Sequence, residues 1–385
     1  MDHHPDKRPP QRSRASLIVL IMLAFLLLIA TGILVASLPD DPAWQQETTA
    51  TSLPSPDDSG FACTPAEAQQ LMPFGSGVMK VTSSRLAFLD IRGSEQYFAD
   101  VDFTAPFCMS SGDYFLVADR EGHSLVLSDL NGERFRATVD GRISGAAIRS
   151  DGYLAIIQDQ SESTGVVSIF SPDSGRKLFD CVFAESGYAL SVSFPTGSDS
   201  FDVTLLNTAS SSARPVIKRF SLDGRQLGER RPDLNGIYPL TVYAADEQLV
   251  LCSAASLVAF SYTSDSLAWQ QNYHQITAVQ SSADGLVVLA TDEQDGQCSL
   301  YLLQPGGQSK FKLKIGESLD NLDIRGSMAS LSYGTRVIVT SLSSGRIILD
   351  QDVAAEVIRV AFASDGSLTV VTRSGVLRLA PPSDQ

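Results

Sequence analysis

One short pattern returns along most of this chain: a turn built on Gly or Asp, a polar residue or two, then an apolar strand. It stands around Gly93 (IRGSEQYF), Gly132 (LNGERF), Gly175 (PDSGRKLF), Gly224 (LDGRQL), Asp265 (SDSLAW), Gly307 (GGQSKF) and Gly345 (SSGRIIL). Gly93 and Gly345 are 252 residues and six intervals apart, a mean of 42. Between the turns lie short alternating or wholly apolar runs of Val, Ile, Leu, Phe and Tyr, as strands require. A period of about 40–45 residues with four strand-sized runs per unit is that of propeller blades, small sheets that bury their faces only on neighbouring blades. Helical solenoids are excluded, since the nearest thing to a 3.6-residue stripe in this region is TPAEAQQLM at 64–72, one or two turns.

The blade number follows from hairpins, because every blade contains one in its middle. Eight are legible: VMKVT with RLAFLDI, YFLVAD with SLVLSDL, YLAIIQD with VVSIFS, FDVTLLN with PVIKRFS, LVLCS with SLVAFSY, LVVLATD with SLYLLQ, MASLSY with RVIVTSL, and SLTVVTR with VLRLA. The last unit stops at Ala380 before Pro381 and Pro382, so it lacks an outermost strand. The segment PAWQQETT at 42–49 resembles the internal outer strand LAWQQNYH at 267–274 and is expected to fill that place. Closing a ring with the chain's own N-terminal side hides the sheet edges that would template aggregation. The reading is an all-β, eight-bladed propeller, with seven blades the alternative if one terminal hairpin is peripheral.

Ahead of the repeats, Leu17 to Leu38 run for 22 residues without a charge, long enough to cross a bilayer core of roughly 30 Å as a helix. Lys7, Arg8, Arg12 and Arg14 precede the run and Asp40, Asp41 and Glu47 follow it, which keeps the N-terminus cytoplasmic and puts the rest outside. A cleaved signal peptide is the competing reading, with Ala36-Ser37 as a loose small-residue site, but its apolar region is normally only about 7–15 residues. The Pro-, Asp-, Ser- and Thr-rich stretch 39–59 reads as a tether. The expected divisions are a basic cytoplasmic tail (1–15), a transmembrane helix (16–38), a tether contributing to the last blade (39–62), the propeller (63–381) and a short tail (382–385).

Met1 to Ala15 hold four basic and two acidic residues, so the remainder carries 25 Lys and Arg against 42 Asp and Glu, a formal charge of −17. Nucleic acid is excluded as a partner, because phosphate neutralisation needs a basic face. Cys63, Cys108, Cys181, Cys252 and Cys298 each stand more than forty residues apart, without the close CxxC pairs of a structural zinc site. No nucleophile elbow, HExxH or P-loop is present. Outside the first 15 residues the only histidines are His123 and His274, each in a turn context that favours a solvated side chain over a catalyst. Asp292, Glu293 and Asp295 in TDEQDGQ miss the EF-hand spacing and read as a polar hairpin tip. GSGV at 75–78 has no following helix to hold a phosphate. No catalytic, cofactor-binding or metal-ligating residue is assigned.

Three stretches, LMPFGSGVMKV at 71–81, SSGDYFLVADREGHSLVL at 110–127 and SDGYLAII at 150–157, make the chain resemble bacterial membrane-anchored propellers of the PQQ-like and WD40-like type. It is most similar to domain-of-unknown-function family 5711 of Gram-positive bacteria. The resemblance implies the architecture and is nearly silent about activity. With only Trp44 and Trp269 and no adjacent cysteine pair, the chain departs from quinoprotein dehydrogenases, so no quinone cofactor is expected. Two function classes follow: a non-enzymatic extracytoplasmic module binding a protein or cell-envelope ligand, or a PQQ-like enzyme or sensor with a small-molecule site at the central channel. On the topology read here, protease added to intact cells removes the outer region and a reporter fused after Gln385 reads as external; a cytoplasmic reporter overturns it.

Overall fold

The structure is a computed structural model that describes residues 60–381 apart from 161–162, 185–186, 210–211, 245–247, 262–265, 293–295, 316–318 and 320. Strands of three to eight residues form eight four-stranded antiparallel sheets, confirming eight blades over seven. Blades 1 to 7 are continuous in sequence, over 71–100, 106–138, 142–182, 188–230, 240–272, 275–314 and 321–352. Blade 8 takes three strands from 357–379 and its fourth from Gly60–Ala62. From blade 2 onward the first strands touch in succession, and that of blade 8 touches that of blade 1, so the first strand of each blade is the innermost. All eight hairpins read from the sequence are the second and third strands of a blade.

Side chains alternate across a strand, and a middle strand flanked by two blades is therefore apolar on both faces. In Gly285–Thr291 of blade 6, Leu286, Val288 and Ala290 pack toward Val250 and Leu257 of blade 5, while Val287 and Leu289 pack toward Ala329 and Leu331 of blade 7. The buried apolar residues divide into eight clusters, one per pair of neighbouring blades. Each fully buried Val, Leu or Phe contributes about 1.5–3 kcal/mol by leaving water.

The repeated glycine turn has a packing role. Gly307, in the turn before the last strand of blade 6, has φ +79°, and a Cβ there would stand 2.6 Å from the indole of Trp269, on the last strand of blade 5. The same close approach joins Gly175 to Phe135, Gly224 to Phe179 and Gly345 to Phe311. Each glycine leaves a slot that an aromatic ring from the preceding blade's outer strand fills. In blade 1 the slot is at Gly93, and its occupant is Phe61, 2.9 Å from where a Cβ would stand.

Phe61 identifies the closing strand and corrects the expectation for Ala43 to Thr49. Gly60, Phe61 and Ala62 pair with Leu377, Val376 and Gly375, and the Cys63 N–H continues the ladder to the Ser374 carbonyl at 3.1 Å. The edge assigned from the PAWQQETT likeness is thus already taken, by the last residues of the 39–62 segment expected to contribute to that blade. Residues 43–49 and the apolar run 17–38 lie outside the described residues, among which no helix is long and apolar enough to cross a membrane. From the closing strand a short helix, Pro65–Ala68, carries the chain inward to blade 1. It is capped by Thr64 and Glu67 in a reciprocal capping box and seats Ala68 in the core between blades 8 and 1.

That core, with Leu71, Val78, Val371 and Val376, has the fewest buried members of the eight. Polar clamps supplement it. The Ser364 N–H donates to the Gly75 carbonyl at 3.1 Å, Arg378 donates to the Ser76 carbonyl at 3.0 Å, and Arg359 to the Leu71 carbonyl at 3.4 Å. Asp365 accepts from Ser367 and pairs with Arg378, which together hold its carboxyl down at about 2. A carboxyl depressed below its unfolded value near 3.9 stabilises the fold above that pH and loses the contribution as pH falls toward 2.

Deleting residues 1–63 is expected to open the ring at blade 8 and lower the melting temperature by at least several degrees, whereas deleting 1–52 leaves it unchanged. Equal melting temperatures in a thermal scan overturn closure by Gly60–Ala62.

Candidate functional site

The central channel is where polar side chains from several blades converge. On the innermost strands these include Ser193, Gln280, Ser281, Asn321, Asp323, Arg325 and Arg359, and each is turned to a neighbouring blade. Ser193 donates to the Thr241 carbonyl at 2.6 Å, Gln280 to Leu322 at 3.2 Å and Asn321 to Ile358 at 3.2 Å. Ser281 reaches the Tyr243 carbonyl and Arg325 the carbonyls of Ala363 and Ser364. Asp323 accepts from the Phe362 N–H at 2.7 Å, and burial pushes its carboxyl up against the opposing pull of that bond. Burial likewise lowers the Arg359 guanidinium. Convergence at the channel therefore serves to bond blade to blade at the junctions from blade 4 round to blade 1.

A second polar centre lies between blades 4 and 5. On the second strand of blade 4, Phe201, Val203 and Leu205 face blade 3, which leaves Asp202 and Thr204 facing blade 5. Asp202 is 2 % exposed and receives a bidentate pair from Arg219, Nε at 2.8 Å and Nη2 at 2.6 Å, together with the Tyr243 hydroxyl. Burial first, then the Asp202 charge, push the Tyr243 phenol far up, so it stays a donor. Beside them Thr204 and Thr241 share a hydrogen bond at 2.6 Å, with Ser191 at 3.2 Å from Thr241. The arrangement has an acid and a base-like partner, but it is sealed in an interface rather than set in a cleft.

At the ring's surface, one end differs from the rest. Strands alternate in direction within a blade, so the start of a first strand and the end of a last strand share one end of the ring. There, on blades 3 to 5, stand Val182 (62 % exposed), Tyr188 (52 %), Ile237 (55 %) and Leu240 (42 %). The other large exposed apolar residues, Phe98, Leu227, Leu267 and Ile347, sit singly on the outer strands of four different blades.

The residues weighed from the sequence fall in separate places. His123 is in the middle hairpin turn of blade 2, exposed, its Nδ1 3.2 Å from the Val139 carbonyl, and His274 is exposed between blades 5 and 6. Asp292 pairs with Lys312 at 2.5 Å and accepts from the Tyr301 hydroxyl at 3.0 Å; Glu293 and Asp295 lie outside the described residues. The GSGV turn at 75–78 forms part of the ring closure. Trp269 is structural, its indole N–H shared between the Pro305 carbonyl and Gln248. All five cysteines are unpaired; burial pushes the Cys181 and Cys252 thiols up to about 12. Among the described residues no group of three or more His, Cys, Asp or Glu is placed to hold a metal. The Asp202 centre and the exposed apolar end were missed from sequence. The first had a visible signal, an Asp inside the otherwise apolar strand SFDVTLL.

A family profile described as a family of unknown function, DUF5711, matches residues 59–379. The chain belongs to this family. Among solved structures, the DUF5711 chain is similar to BamB from Moraxella catarrhalis, with 13 % identity over 84 % of this chain and 99 % of the other and a TM-score of 0.52. It is also similar to Sqt1 from Saccharomyces cerevisiae, at 11 % identity over 84 % and 98 % and a TM-score of 0.59. A chain in the crystal structure of the mitotic checkpoint complex matches at 13 % identity over 72 % and 90 %, with a TM-score of 0.50. At such identities the likeness is one of fold. No curated protein matches this DUF5711 chain significantly.

The Asp202 centre makes a test of how blades 4 and 5 are joined. Asp202→Ala removes the carboxylate that Arg219 grips bidentately in a largely desolvated junction and is expected to cost about 3–5 kcal/mol, seen as a lower urea midpoint, while the double change D202L/R219L costs less than the single one.

Proposed function

We propose that this DUF5711 propeller is a membrane-tethered, extracytoplasmic binding or scaffold module that captures a protein or cell-envelope ligand without turning over a substrate. The exposed apolar side chains Val182, Tyr188, Ile237 and Leu240, gathered at one end of three successive blades, carry this reading. Scattered single apolar residues are ordinary on a soluble surface, whereas a grouped set marks an interaction site. The direction of the closing strand agrees with it. Gly60–Ala62 runs antiparallel to Gly375–Leu379, so the closing strand starts at the end of the ring opposite the apolar residues. That inner-strand polar groups are engaged by neighbouring blades favours binding over catalysis at the channel. A chain of similar fold stands in a multi-protein assembly, the mitotic checkpoint complex, which is the same kind of use. The negative charge directs the choice of partner toward basic or neutral surfaces and makes association with a basic one fall as salt rises.

Capture from envelope extracts by the wild-type chain and by the triple variant Tyr188→Ser, Ile237→Ser and Leu240→Ser tests the assignment. The expected outcome is a partner retained by the wild type and lost by the variant at an unchanged melting temperature. Equal capture by both sinks the apolar surface as the binding site, and quinone-dependent dye reduction by the wild type overturns the non-enzymatic reading.

A further inference from the structure

The ring pairs the cations it draws out of water with carboxylates, and Arg359 breaks that pattern. Arg149, Lys218, Arg219 and Arg378 have side chains 14–16 % exposed, and each meets an Asp or Glu at 2.6–3.5 Å. Arg359, half-buried on the innermost strand of blade 8, has no carboxylate partner among the described residues. Its one hydrogen bond to them runs from Nη1 to the Leu71 carbonyl of blade 1 and is long, at 3.4 Å. Nε and Nη2 are the two nitrogens with which Arg149 grips Asp151 and Arg219 grips Asp202 side-on. In Arg359 no described residue takes that edge.

The surroundings do not neutralise this charge. Burial pushes the guanidinium down, and the one titratable group that acts on it among the described residues is the Cys108 thiol, on the innermost strand of blade 2. Burial pushes that thiol up in turn, so at neutral pH it carries no negative charge to offset the arginine. Asp323, on the innermost strand of blade 7, is turned to the Phe362 N–H instead. A guanidinium keeps its proton at any pH at which the protein is folded, so it cannot escape desolvation by becoming neutral. A bound anion removes that cost. Two parallel N–H groups on one planar edge fit a carboxylate bidentately, which is how the paired arginines of this ring already hold theirs. One cation in a chain of formal charge −15 suits a monoanion, whereas a dianion would bring a second charge with nothing to meet it.

We infer that Arg359, beside the central channel, binds a small monocarboxylate through Nε and Nη2, at the junction where blade 8 meets blade 1. Because the same guanidinium bonds blade 8 to blade 1, a carboxylate held there adds to the stability of the closed ring. The site is distinct from the apolar end of blades 3 to 5 and does not depend on it.

Saturation-transfer NMR on the full chain, held in uncharged dodecyl maltoside at constant ionic strength, tests this with sodium acetate as the probe. The expected result is saturable transfer to the acetate methyl protons, weakened at least about tenfold in Arg359→Gln, which can still donate to the Leu71 carbonyl but presents no charged edge. Without acetate, R359Q is expected to melt at or above the wild-type temperature, because an unpaired charge is gone; with acetate, the wild type gains stability and R359Q does not. Absence of saturable transfer in the wild type overturns the inference, as does equal transfer in R359Q. A lower melting temperature of R359Q combined with an equal acetate effect on both chains overturns it too, leaving Arg359 a structural donor only. So does a rise in melting temperature that depends on Arg359 and is larger with inorganic phosphate than with acetate.

Discussion

A four-stranded sheet with apolar side chains on both faces has no stable existence in water by itself, and this constraint governs the molecule. Each middle strand here is buried on two sides, so each blade depends on two neighbours, and a row of blades is satisfied only when its ends meet. Ring closure is thus a condition for burying the core at all. It falls on the interface with the smallest apolar cluster, where Arg359, Arg378 and Ser364 add bonds to the backbone of blade 1. Polar groups supply there what apolar area does not.

The same substitution of one kind of contact for another appears between blades 4 and 5. Seven buried apolar residues form that core, against thirteen between blades 5 and 6, and the face of blade 4 toward blade 5 carries Asp202, Thr204 and Arg219 instead. A buried ion pair adds little over a well-packed apolar pair of the same volume, but it tolerates few alternative arrangements. We read the Asp202 centre as a device that fixes the register of this junction, so that blades 4 and 5 meet in one way. The channel-facing polar residues follow the same logic at lower cost, since they satisfy carbonyls that the innermost strands would otherwise leave without a partner.

What the sequence made legible divides along physical lines. The eight middle hairpins were readable because a strand buried on both faces is a dense apolar run, and because glycine turns recur at the blade period. The closing strand was misplaced because Gly60–Ala62 is three residues long and contains one aromatic, less than any pattern over PAWQQETT displays. Its true signal is outside itself: the Gly93 turn requires a ring from the preceding outer strand, and only the three-dimensional slot shows that Phe61 supplies it. The candidate surfaces were harder still. Val182, Tyr188, Ile237 and Leu240 look like any other strand residues in sequence, since exposure depends on whether a neighbouring blade covers that end.

The three-residue closing strand also settles how the fold meets a mechanical load. A pull along the axis of that strand strains the bonds from Gly60–Ala62 to Gly375–Leu377 together in shear rather than one after another. The helix behind them and the Phe61 ring in the Gly93 slot resist sliding in the same direction. The strand that completes the ring is therefore also its latch: tension that slides it free uncovers blade 8 and the least apolar junction first, and the ring yields from there.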